Sequence, residues 1–390
     1  MSRRALSIAL SGVLVVGVGA VLVLGGGKGG KNEGAAGSDL RVVHGVIGSE
    51  KNDFFQDQAV RAAFARHGLR VDVDPAGSRQ IATSVDLGGY DFAFPSSAPA
   101  AERIQREKHI TRSYAPFHSP MAIASFESIV RILQAQGITR KEADGTWTFD
   151  MARFMALAAT DRRWDQLPQD PAAYSVRKNI LVRTTDPRNS NSAAMYLAIT
   201  SHLANGNQVV QDSAQEQSVL PQVTDLFLKQ GFAATTSDPP FEDYLSQGVG
   251  NTPLLFIYEA QYLEQLIRDD GSIIHGADPN RNMVLLYPSP TVLSAHTLVP
   301  LNRRGDEVGR LLADDPKLQE LAAQHGFRTR RPAAFAEVVA KHVDEATQVR
   351  ADVVDAVDPP RFETLERMLT AIEQAYGPAA PAPPTDEVTR

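Results

Sequence analysis

There is no cysteine among the 390 residues. That excludes a disulfide framework, a thiolate metal site, a catalytic thiol and a Cys-linked lipid anchor. Blocks of positive charge are missing too. Lys and Arg number 39 against 46 Asp and Glu, for a formal net charge of −7. Nothing in that balance calls for a nucleic-acid partner. The histidines, among them His44, His118, His202 and His275, are scattered without metal-ligand spacing. No G-x-S-x-G elbow and no H-E-x-x-H occurs. The expectation is a protein that binds rather than catalyses, with no metal and no cofactor. A Ser/His/Asp set is assembled in space rather than in sequence, and stays open as the enzymatic alternative.

What is present is an ordinary globular composition, 43% apolar and 22% charged, in a chain long enough for two domains. Arg3 and Arg4 precede an uncharged, mostly apolar run from Ala5 to Leu24. About 20 such residues can span a bilayer as a helix, with the positive flank on the cytoplasmic side. Val18-Gly19-Ala20 is only a passable cleavage site, and the apolar run continues past it. Residues 1–24 are therefore expected to be a membrane anchor, with a cleaved export signal as the other reading. Residues 25–38 form a Gly-rich linker. Gly25 to Lys31 imitates the start of a phosphate-binding loop. Asn32 replaces the required Ser/Thr, and no strand precedes it. Residues 377–390 are a Pro/Ala-rich tail expected to be disordered.

Between these ends, strand and helix patterns alternate. Leu40 to Ile47 reads as a buried strand, followed by Gly48-Ser49-Glu50-Lys51 and an amphipathic helix over Phe54 to His67. Leu69 to Val73 is a second strand, ending near Gly77-Ser78-Arg79. Tyr90 to Phe94 is a third, closing on Pro95-Ser96-Ser97. Such alternation implies a parallel sheet with both faces covered, whose ligands sit beyond the carboxyl ends of the strands. Further on, Ile180 to Arg183 reads as a strand, Gly309 to His325 and Ala333 to Val357 as helices, and Thr297 to Leu301 as a strand.

One stretch repeats the chemistry of those loop ends. Arg183 to Leu197 (RTTDPRNSNSAAMYL) holds a Pro-led turn, a Ser/Asn cluster and a run of helix formers. It predicts a loop feeding a helix with Ser or Asn at the N-cap. Helix starts leave backbone N–H groups without intrahelical partners, so hydroxyls and amides there can hold an anion or a polar ligand.

The order of these pieces resembles the type II extracellular solute-binding proteins, the family that includes molybdate, sulfate and phosphate binders. The resemblance covers about Asp39 to Tyr376. It rests on GSEK after the first strand, YDFAFPSS, PFHSPMAIAS (Pro116 to Ser125), DPRNSNSAAMYLA, FIYE (Phe256 to Glu259), LLYPSPTV (Leu285 to Val292) and LLADDPKLQELAAQHGFR (Leu311 to Arg328). It implies an α/β fold of two lobes joined by two crossover hinge strands. Lobe one would comprise 39–124 and 281–376, with lobe two, 125–280, inserted between them. It also implies a monomer that captures a small-molecule or oxyanion ligand in the interlobe cleft, with an ABC permease or another membrane protein as partner. The expected ligand-binding residues are Ser49, Glu50, Ser78, Ser96, Ser97, Ser119, Ser190, Asn191, Ser192 and Tyr258. Glu50 would repel an oxyanion unless paired or protonated. Lys51, Arg79 and Arg188 are expected to be solvated surface charges. The alternative function is a membrane-tethered sensor or interaction domain on the same fold, which the missing lipid-linked Cys favours.

The N-terminal reading has a direct test. After cell fractionation the intact chain should sit in the membrane fraction, with its body accessible to protease from outside. Mature protein free in the medium, with a new N-terminus near Val21, would overturn the anchor and leave export standing.

Overall fold

The computed structural model describes residues 40–167, 174–231, 233–268, 274, 277–342, 349–353 and 355–376. The anchor, the linker and the Pro/Ala-rich tail read from the sequence lie outside these residues. Among the described residues no helix is long and apolar enough to cross a membrane.

The β-branched run RVVHGVIG forms β1 (Arg41–Gly48). It pairs in parallel with β2 (Leu69–Ala76) on one side and with β3 (Phe92–Phe94) on the other. Alternating side chains of a strand point to opposite faces. Val43 and Ile47 accordingly join one apolar cluster with Phe54, Phe55 and Phe64. Val46 joins another with Ile81, Ala101 and Ile104. Both faces of this sheet are thus covered by helices, as a parallel sheet requires.

The chain then leaves this lobe through β4 (Tyr114–Phe126), a 13-residue strand. The remaining strands are β5 (Thr139–Lys141), β6 (Trp147–Asp150), β7 (Leu254–Tyr258), β8 (Met283–Ser289), β9 (Leu293–Pro300) and β10 (Arg328–Thr329). The first part of β4 pairs with β9 and β10, its second part with β7 and β8. β4 is therefore one crossover strand, and the step from β8 into β9 is the other. β9 closes onto β3 and completes the first sheet. The architecture is two-lobed α/β, with the second lobe's core running from Met121 through Tyr196 and Phe256 to Leu286.

Helix boundaries differ from expectation where a side chain competes with the helix. Phe54 to His67 is two helices, Asn52–Gln56 and Gln58–Ala65. Asp57 breaks them by accepting from Ala59 N at 2.6 Å and Val60 N at 3.2 Å, an N-cap in mid-run. Gly309 to His325 likewise divides into Arg303–Asp314 and Pro316–Gln324, because Pro316 has no N–H to continue the ladder. Of the run from Ala333 to Val357, Pro332–His342 is helical. Ile180 to Arg183 is not a strand and makes a single bridge, Arg183 to Leu255.

The last helix, Phe362–Ala375, joins both lobes. Leu365, Met368, Leu369 and Ile372 pack into the second lobe's core, while Phe362 belongs to the first lobe's cluster.

Because β4 serves both lobes, its interior is sensitive to truncation. Ile123 is fully buried, and Ile123→Ala should cost about 2–5 kcal/mol in chemical denaturation. Leu293→Ala, at a residue 39% exposed at the start of β9, should stay within about 0.5 kcal/mol of the parent. Equal losses at the two positions would contradict this placement of the core.

Candidate functional site

The sequence places Ser49, Glu50 and Lys51 directly after β1, Ser78 and Arg79 after β2, and Ser96 and Ser97 after β3. Parallel strands end side by side, so their loops converge on one point. There Lys51 Nζ forms an ion pair with Glu50 Oε1. The same ammonium donates to Ser96 Oγ at 3.0 Å and lies 3.2 Å from His296 Nδ1 on β9. Ser96 Oγ donates to Glu50 Oε1 at 2.5 Å. Ser78 Oγ donates to Ser96 Oγ at 3.0 Å and accepts from Ser96 N at 2.8 Å. Gly48 makes this crowding possible. A Cβ there would lie 2.1 Å from Ser96 Oγ and 2.8 Å from Lys51 Nζ.

The second lobe meets this cluster through the opening stretch of the helix Asn191–Ala204. Ser190 is its N-cap, accepting from Ser192 N at 3.2 Å. Asn191 Nδ2 donates to Tyr258 Oη at 3.0 Å, to Ser294 Oγ at 3.2 Å and toward Ser96 O at 3.4 Å. Ser192 Oγ lies near Thr184 Oγ1 and Phe256 O, at 3.4 and 3.5 Å. Next to it, the Asn189 carbonyl accepts from Arg79 N at 3.1 Å and Gln80 N at 3.2 Å. These are N–H groups at the start of the helix Ser78–Thr83. Gly77 lets that carbonyl approach, since a Cβ would sit 2.2 Å from it. The lobes are therefore in direct contact at this point.

Of the ten residues picked from the sequence, all are buried. Glu50, Ser78, Ser96, Asn191 and Tyr258 share one hydrogen-bonded network. Ser97 caps the helix Ala98–Lys108 by position, but its hydroxyl makes no capping bond. It lines a 20 Å³ cavity with Asn191 and Arg79, room for about one water. Ser49 Oγ lies 3.4 Å from Ser237 Oγ of the other lobe. Ser119 stands apart on β4, accepting from Ala260 N at 3.0 Å.

Two expectations are corrected. Lys51 is not a solvated charge: its side chain is 0% exposed, with Phe94 beneath the ammonium at 4.9 Å. Arg79 is only 10% exposed. It donates to Glu366 at 2.9 Å and to the Arg188 carbonyl at 2.9 Å. Arg188 itself pairs with Asp186 and remains partly exposed. The residues that reading the sequence overlooked are Ser294 and His296. Their signal was a period-2 pattern, with Ser294, His296 and Leu298 on one face of β9.

Burial works against the Glu50 charge, but Lys51 and the His296 contact at 3.1 Å outweigh it and hold this carboxyl well below the usual range. Burial, with Lys51 adding to it, pushes His296 down to about 4, so its ring is neutral near pH 7. His296 Nε2 is buried without a hydrogen-bond partner. On the same seam, burial and the charges of Glu50, Asp53, Glu242 and Glu264 push Asp238 up to about 7. The described residues contain no group of three or more His, Asp or Glu side chains that could hold a metal.

Neither a family model nor a curated protein matches the sequence. Solved structures do match. The periplasmic binding protein AfuA from Actinobacillus pleuropneumoniae, solved with fructose-6-phosphate bound, aligns at a TM-score of 0.52 and 11% identity. The alignment covers 84% of this chain and 96% of that one. The fold is that of a type II periplasmic solute-binding protein. Iron-bound HitA from Pseudomonas aeruginosa aligns at a TM-score of 0.50 and 13% identity, covering 86% and 99% of the two chains. The polar network described above lies where the two lobes of this fold meet.

Asp238 supplies a pH test. A folded-state pKa raised above the unfolded value means that the folded chain holds its proton longer. Stability is then fullest below the unfolded pKa near 3.8 and is lost as pH rises through about 7. Asp238→Asn should therefore melt higher than the parent at pH 8, with the difference shrinking toward pH 4. A difference independent of pH would contradict the assignment.

Proposed function

We propose that this is an extracytoplasmic solute-binding protein that takes a small polar ligand between its lobes and hands it to an ABC-type permease. One observation carries the reading. The loops after three parallel strands, the crossover strand β9 and the Asn191 helix all deliver buried polar side chains to one point of a binding-protein fold. Buried polar groups are costly unless bonded, so a cluster this dense at the cleft serves either closure or capture. In the capture reading the ligand touches both lobes and so favours their closed arrangement. The lobes follow the division 39–124 with 281–376, and 125–280. The chain is held outside the membrane by its N-terminal segment.

A second reading, a tethered sensor or interaction domain, is favoured by the terminal helix. Arg79 of the first lobe is bonded to Glu366 and to the Pro187 and Arg188 carbonyls. The opposite side of that helix is buried in the second lobe. A strap of this kind resists the opening that a transport cycle requires.

The test begins with native mass spectrometry of protein purified without refolding, then a thermal-shift screen of neutral and charged small solutes. Ser97→Ala and Asn191→Ala should each weaken the ligand so found by roughly tenfold, the loss of a buried hydrogen bond, with circular dichroism unchanged. A double variant that binds as tightly as the parent would place the site elsewhere. A parent that no solute shifts at millimolar concentration would favour the sensor reading.

A further inference from the structure

Around Glu50 Oε1 stand the Lys51 ammonium, the Ser96 hydroxyl at 2.5 Å and His296 Nδ1 at 3.1 Å. An ammonium, a hydroxyl and an imidazole converging on one oxygen is the donor set of an oxyanion receptor. Here the oxygen belongs to the chain itself. Most of these donors are also engaged within the chain. Lys51 donates to Glu50 and to Ser96 Oγ, and its ammonium lies 3.2 Å from His296 Nδ1. The Ser96 proton goes to Glu50, and the Ser78 proton goes to Ser96. At the helix Ser78–Thr83, the Asn189 carbonyl takes the N–H groups of Arg79 and Gln80.

We infer that Glu50 is the specificity-determining residue of the cleft. Its carboxylate occupies the position in which a ligand oxyanion would meet Lys51 and Ser96, so the cleft takes an uncharged, hydroxyl- or amide-bearing solute and rejects oxyanions. The inference rests on the solute-binding reading and narrows its ligand class. A free anion would have to displace a tethered one whose local concentration is very high, and would bring a second negative charge beside Glu50.

Glu50→Ala removes the internal carboxylate and leaves the buried ammonium facing a space of carboxylate size. Glu50→Gln fills that space with a neutral group. Both are made in the full chain and compared by thermal shift and calorimetry with acetate, formate, sulfate and phosphate at constant ionic strength. The parent and Glu50→Gln should bind none of them at millimolar concentration. Glu50→Ala should melt below the parent and be raised by several degrees by acetate or formate, because an anion that binds only the folded form stabilises it. A folded Glu50→Ala protein that no anion stabilises would overturn the inference. So would a parent that binds sulfate, phosphate or a carboxylate at millimolar concentration, and this parent measurement decides even where the alanine variant does not fold. Failure of the solute-binding reading looks different: no neutral solute binds the parent, yet acetate still rescues Glu50→Ala.

Discussion

The structure turns on a buried ion pair, Lys51 with Glu50, at the meeting point of two lobes. Taking an ammonium and a carboxylate out of water costs several kcal/mol per ion, which their attraction offsets only with good geometry and further hydrogen bonds. Those further bonds come from three separate parts of the chain: Ser96 after β3, Ser78 after β2 through Ser96, and His296 on β9. The pair therefore demands that β1, β2, β3 and β9 end in register beside one another. Parallel pairing of the first three strands and antiparallel closure by β9 provide this. Losing either partner alone would leave a charge buried without compensation, among the costliest defects a core can hold.

The second lobe completes the arrangement with neutral groups. Asn191, the Asn189 carbonyl and Tyr258 add hydrogen bonds but no charge to the cluster. Charge is carried instead at the rims of the seam. Arg79 with Glu366 stands on one side, and the Glu264 carboxylate, 2.6 Å from His325 Nδ1, on the other. Both pairs are largely shielded from solvent, so salt screens them less than it screens exposed pairs. Two shielded rims and a bonded centre make the observed state one in which the lobes hold each other.

Much of this was readable in the sequence, because it is local. Strand, turn and helix alternation around Gly48, Gly77 and Pro95 identified the loop ends, and the hydroxyl-rich stretch at Ser190 identified its counterpart. The unread part is non-local. Whether Lys51 is buried depends on a neighbour 245 residues away, His296, and no window of sequence contains both. His296 itself was hidden by a boundary. With the strand expected from Thr297 rather than Leu293, Ser294 and His296 fell in a loop and lost their shared face. Arg79 passed for a surface charge for the same reason, since Glu366 lies 287 residues on. The breaks at Asp57 and Asp315 show the opposite limit. There a local cap overrode an apolar period that ran on unbroken.

The central claim is that the lobes are held together by the chain's own groups around Glu50 and Lys51. Because the protein has no cysteine, two spin labels can be placed cleanly, at exposed Thr83 of the first lobe and exposed Ala135 of the second. Double electron–electron resonance on ligand-free protein then reports the lobe separation. The account predicts a single narrow distance for the parent and a broader, longer distribution for Lys51→Met, which leaves Glu50 buried and unpaired. A parent that is already broad and long without ligand, and unaffected by Lys51→Met, would contradict it.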